Sequence, residues 1–143
     1  MLRILGRIEL YGTKEALARV ASVAPIQNGA MIQIGLERKV PDVNHWTYKS
    51  PRYQFHLEEI DNEIRAFVIA HSQLGQALPD KHNEITHAFL TITPVEQTEG
   101  ELFACDLSAE TVLAISSLGI GIQIAPAEVM PEAPFWKQEN PSQ

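Results

Sequence analysis

Three times along this chain, apolar residues that alternate one-on, one-off give way to apolar residues spaced three and four apart, and alternation then returns. A strand presents side chains with a period of two and a helix with a period of 3.6, so the switches commit the chain to helices interleaved among strands. Ile4, Gly6, Ile8 and Leu10 share one side of a first strand over 2–11, with a partly covered second face. Gly12-Thr13 then supplies a turn and a helix N-cap, and Leu17, Val20, Ala21 and Ala24 follow at helical spacing until Pro25. After the Asn28-Gly29 turn, Ile32, Ile34 and Leu36 form the apolar face of a second strand, and Trp46 and Tyr48 share a face of a third.

The clearest helix runs from about His56 to Gln73, where Ile60, Ile64, Phe67, Val68 and His71 form one stripe. A strand over His87–Val95, a turn over Glu96–Gly100 and a return strand over Glu101–Leu107 read as a hairpin. Ser108 caps a third helix with Val112, Ile115 and Leu118 inward and Gly119 as its stop. Ile120, Ile122 and Ile124 face one way in a last strand. The order β-α-β-β-α-β-β-α-β predicts an α+β fold, a mainly antiparallel sheet with its helices packed on one side. Residues 1–125 read as a single domain, and 126–143 as an irregular proline-rich tail, partly docked through Phe135 and Trp136.

Composition bounds the partners. The formal net charge is −7 across 143 residues, which opposes nucleic-acid binding, since that affinity rests on Lys and Arg displacing counterions from phosphate. A basic protein is the favoured partner, and a homo-oligomer is compatible with the sequence. The opening apolar run breaks at Gly6-Arg7, so no export segment is visible, and no apolar stretch approaches the ~20 residues of a membrane span. One cysteine, Cys105, excludes an internal disulfide, and the expected location is the cytoplasm.

Three marker segments carry a family likeness. Tyr11-Gly12 ends the opening strand before a short helix, Trp46-Thr47-Tyr48-Lys49-Ser50 precedes the long acidic-faced helix, and Leu107-Ser108-Ala109-Glu110 leads through Leu118-Gly119 to an Ile-rich strand. In this arrangement, over roughly Arg7 to Ala125, the chain resembles the uncharacterised bacterial domain-of-unknown-function family numbered 4279. The resemblance implies a stand-alone α+β domain of the accessory or toxin-neutralising kind, with no established reaction or cofactor.

Each candidate for chemistry has a plainer reading beside it. Asp80, His82, Glu84 and His87 offer metal-ligand types, but their spacing fits no standard site and a solvated loop explains them. Cys105 and His71 read as packing residues, not as a nucleophile and a base. Gly119-Ile120-Gly121 follows a helix and opens a strand, the reverse of a phosphate loop, and Tyr11-Gly12-Thr13-Lys14 is a cap. No catalytic, cofactor-binding or metal residue is assigned.

The carboxylates Glu58, Glu59, Asp61 and Glu63 crowd the start of the long helix, where they suit its dipole and could meet a basic surface. Trp46, Tyr48 and Tyr53 interleave with Lys49, Arg52 and His56 nearby. The expectation is a non-enzymatic, immunity-type protein that occludes a toxin's active site and binds through Glu58, Glu59, Asp61, Glu63, Tyr53 and Trp46. A small-ligand-binding or regulatory domain is the alternative, and an enzyme drawing on His45, His71, His82 or His87 stands behind both.

Overall fold

Alternation in the first strand becomes the axis of the protein. In the computed structural model, which describes residues 2–33, 46–78, 84–96 and 103–125, β1 (Arg3–Gly12) buries every second residue from Ile4 to Gly12 and leaves the others half-buried. Its neighbour on one side is β5 (Ile85–Val95), antiparallel, with Ile8 opposite Leu90. On the other side run β3 (Trp46–Lys49), opposite Glu9–Gly12, and β4 (Tyr53–Phe55), opposite Ile4–Gly6. The sheet is completed by β2 (Ala30–Gln33) on β3 and β6 (Gly121–Ile124) on β5.

Ser50 repairs the gap between β3 and β4. Pro51 has no N–H for the ladder, and the buried Ser50 hydroxyl accepts the Ile8 N–H at 3.0 Å while the Ser50 N–H donates to the Ile8 carbonyl at 3.0 Å.

The topology explains why the helices share a face. β1 and β2 are both antiparallel to β3, so α1 (Lys14–Val23) joins parallel strands. β4 and β5 are both antiparallel to β1, so α2 (Ile60–Ala70) and the short α3 (Leu74–Ala77) form a second parallel crossover. β5 and β6 are directly parallel, joined by α4 (Ala109–Ser117). The first crossover runs the opposite way across the sheet from the other two, but β1 also points opposite to β4 and β5. Three crossovers of one hand, right-handed in nearly all such units, therefore put their helices on one face. There Ile4, Ile8, Leu10 and Leu90 join Leu17, Val20, Ile64, Val68, Ile115 and Leu118 in a single core.

Four local expectations change. Residues 103–107 form no strand, so the hairpin is absent among the described residues. The reason is geometric: β5 already has β1 on one edge and β6 on the other. In α4 the inward residue is Thr111, fully buried, while Val112 is 48% exposed. Positions 111, 115 and 118 satisfy helical spacing as well as the apolar set does, and the Thr111 hydroxyl finds polar partners. In β2, Met31 pairs with Tyr48 on the core side and Ile32 faces outward opposite Thr47; Ile34 and Leu36 lie outside the described residues. The long helix begins as a 3₁₀ turn at Leu57–Glu59 and ends at Ala70. His71 closes it with an N–H bond to the Val68 carbonyl at 2.9 Å, and the chain then turns so that Leu74 enters the core. The tail from 126 onward, with Phe135 and Trp136, also lies outside the described residues.

Other signals act as read. The Thr13 hydroxyl accepts the Ala16 N–H at 3.2 Å and the Ser108 hydroxyl that of Thr111 at 3.2 Å, two helix N-caps. Gly119 ends α4 at φ +79, a conformation that favours glycine. Among the described residues no helix is long and apolar enough to cross a membrane.

Candidate functional site

The carboxylates of α2 divide into two kinds once the helix is placed. Asp61 accepts the Ser108 N–H at 2.7 Å on one oxygen, and its other oxygen lies 3.4 Å from Arg65 Nη1. Ser108 is the N-cap of α4, so a carboxylate on one helix satisfies the first free N–H of another, the job that a capping-box glutamate does within a single helix. Glu63 serves the start of its own helical segment: it accepts the His56 N–H at 2.6 Å, and its second oxygen is 3.0 Å from His56 Nδ1. The Ser108 N–H bond, helped by Thr111, the Ser108 side chain and Arg65, holds the Asp61 carboxyl below its ordinary pKa against partial burial. The His56 N–H, with the His56 ring, does the same for Glu63.

Arg65 gathers this end of the molecule. Its Nη1 lies within 3.1–3.4 Å of Thr111 Oγ1, Ser108 Oγ, Glu110 Oε1 and Asp61 Oδ2, while Nη2 donates to Asn62 Oδ1 at 2.6 Å. Sequence reading missed this residue, although Asp61 and Arg65 sit at the i, i+4 spacing of a helical ion pair. Thr111, hidden in the core, places its hydroxyl 3.5 Å from the Asp61 carbonyl and 3.1 Å from Ser108 Oγ.

Glu58 and Glu59 are the other kind. Both are exposed; Glu59 accepts a bond from Asn62 Nδ2 at 3.2 Å, and Glu58 has no partner among the described residues. Asp106 and Glu110, at the start of α4, are exposed as well, and one side of Glu110 rests on Arg65. The result is an acidic rim at the joined starts of α2 and α4, with the Arg65 guanidinium between Asp61 and Glu110.

The two aromatic candidates part company. Tyr53 lies opposite Gly6 on β1, with its ring 4.8 Å from Phe67 of α2, and Phe67 continues the stack to Phe55 and His71. A methyl group on Gly6 would sit 2.3 Å from the Phe55 ring, so this stack requires glycine at that point of β1. Trp46 lies opposite Gly12, at the other end of β1 by about 20 Å of strand. There it sits half-buried under Lys14, whose Nζ is 4.9 Å from the ring centre. The structure thus brings Tyr53 to the helix that carries the carboxylates and keeps Trp46 with α1.

The remaining candidates take structural partners. Cys105 is half-buried, and burial, then the charges of Asp106 and Asp61, push its thiol pKa up, the reverse of what a nucleophile needs. His71 places Nδ1 2.9 Å from the Phe67 carbonyl, which can only accept, so that nitrogen carries a proton. Glu84 pairs with Arg19, and His87 packs between Tyr11 and Phe89. His45, Asp80 and His82 lie outside the described residues. Comparison with protein-family models, with curated protein sequences and with solved structures finds no match to this chain.

Proposed function

We propose that the protein is a non-catalytic binding domain of the immunity type, which acts in the cytoplasm and occludes the active site of a basic toxin with the acidic rim of α2 and α4. The observation that carries this reading is the division among the carboxylates. Asp61 and Glu63 are spent on helix starts, and the frame they fix presents the exposed Glu58, Glu59 and Glu110, of which Glu110 touches Arg65. The fixed helix starts set the backbone from which these side chains project, and a rim of one sign steers an oppositely charged partner. A toxin that acts on nucleic acid lines its groove with Lys and Arg, and carboxylates can occupy that groove in place of phosphates. The resemblance of the three marker segments to the family numbered 4279 implies the same class of partner. Tyr53 borders the contact, and Trp46 lies outside it.

The test is affinity capture from the source cells, with wild type beside Glu58→Gln/Glu59→Gln, followed by a calorimetric titration of the retained protein. The expected result is a basic partner whose association falls on the order of tenfold in the double variant and weakens with added salt. A partner that binds both forms equally, or no partner at all, overturns the reading.

A further inference from the structure

The last strand offers a different surface, and the reading of it stands independently of the acidic rim. Among the described residues β6 pairs only with β5. The Ala125 N–H donates to the Ile92 carbonyl at 2.9 Å. Backbone polar groups alternate in direction along a strand, so those of Gln123 face β5 with those of Ala125, while the N–H and C=O groups of Ile122 and Ile124 point away from the sheet. They have no partner among the described residues. The side chains of Ile122 and Ile124 sit opposite Leu90 and Ile92, on the helix-bearing side of the sheet, and are 38% and 57% exposed. Gln123 sits on the other side, where the Thr91 hydroxyl lies 3.4 Å from its Oε1.

Natural edge strands are guarded by shortness, charge, proline or a bulge. Gly121-Ile122-Gln123-Ile124 is short, but it carries no charge, proline or bulge. We infer that β6 is a self-association edge, and that its partner is β6 of a second copy, antiparallel across a two-fold axis through Gln123. That register is the one the backbone favours. It sets Ile122 opposite Ile124 of the other copy, and these are the residues with outward polar groups, so each such pair exchanges both N–H···O bonds. Gln123 meets its own mate as the intervening pair without hydrogen bonds. On the helix side the exposed isoleucines pair with each other and leave water.

Charge selects the same partner. Each copy carries a net −7, but the strip itself is neutral, so like-charged copies can meet here without opposing carboxylates. A basic partner, by contrast, finds no charge on it to read. An isologous contact uses up the edge it is made from and stops at a dimer. With only four residues a side, it falls below the roughly 800 Å² per partner of a standard stable interface, so the dimer is weak and concentration-dependent.

Sedimentation velocity of the full chain from about 1 µM to about 500 µM tests this, over the range where so small an interface shifts from free to paired. The expected result is a shift from monomer to dimer, with Ile122→Lys/Ile124→Lys remaining monomeric throughout. Register is tested by cross-linking in a Cys105→Ser background. Gln123→Cys should form an intermolecular disulfide on mild oxidation, because residues facing each other as a non-hydrogen-bonded pair have Cα atoms about 4.5 Å apart, inside the disulfide range. Ile122→Cys, whose mate lies two positions away along the ladder, should not. Amide exchange at Ile122 and Ile124 should slow as concentration rises. The inference fails if the wild type stays monomeric, if the lysine variant still dimerises, or if the two cysteines cross-link equally. It also fails if the Ile122 and Ile124 amides are already protected in the monomer, which would mean that the chain's own residues occupy the edge.

Discussion

α1 and α2 lie on the same face of the same sheet, yet different forces hold them there. α1 is held chiefly by burial: Ala16, Leu17 and Val20 sink into the core with Ile26 and Tyr48, whose hydroxyl accepts the Ile26 N–H at 2.8 Å, and its ion pair, Arg19 with Glu84, is exposed. α2 has its own apolar stripe of Ile60, Ile64 and Val68, but its seam with α4 is polar, built from Asp61, Arg65, Ser108 and Thr111. Burial responds little to pH or salt, whereas a seam closed by carboxylates depends on their charge. The two regions should therefore fail under different conditions.

The largest effect belongs to the apolar side. Leu17→Ala leaves a void beneath α1 and should cost about 2–5 kcal/mol in denaturant unfolding, by nearly the same amount at neutral and mildly acid pH. A loss confined to acid pH would show that α1 also leans on charge. Thr111→Val keeps the volume of a fully buried side chain but strips the hydroxyl from the network of Arg65, Ser108 and Asp61. It should cost about 1–2 kcal/mol, and a neutral result would mean that the hydroxyl is incidental to the seam.

Acid sharpens the contrast. The folded-state pKa values of Asp61 and Glu63 are depressed, so their contribution is present above the unfolded values and is lost as pH falls through the folded ones. Stability should drop below roughly pH 4, where carboxylates begin to protonate, and amide exchange at Ser108 should quicken before that of α1. Asp61→Asn can still accept the Ser108 N–H but no longer titrates. Its thermal midpoint should therefore fall less steeply with acid than that of the wild type; an unchanged slope would remove Asp61 from the seam's pH response. Smallest of all is the expected effect of Glu58→Gln/Glu59→Gln on stability, within about 0.5 kcal/mol, because these side chains carry little of the fold. A larger loss would turn the acidic rim into a structural feature and weaken the case for binding.

Local signals were legible in the sequence because their causes are local. Thr13 and Ser108 cap helices through N–H groups three residues on, Gly119 takes a left-handed turn at φ +79, and alternation in β1 faces Ile4, Ile8 and Leu10 inward. The α+β class and the one-sided helices followed from such signals. What only the tertiary structure decided were the neighbours. Periodicity says that a segment has an inner face, but it does not say which segment will cover it. By periodicity alone the stretch before α4 is the return arm of a hairpin, yet β6 takes that edge of β5, and Val112 is as good an inward residue as Thr111, which the fold buries instead. The carboxylates divide for the same reason. Four acidic residues at a helix start look alike in sequence, and Asp61 differs from Glu58 only because folding brings the Ser108 N–H, 47 residues away, to within 2.7 Å of it.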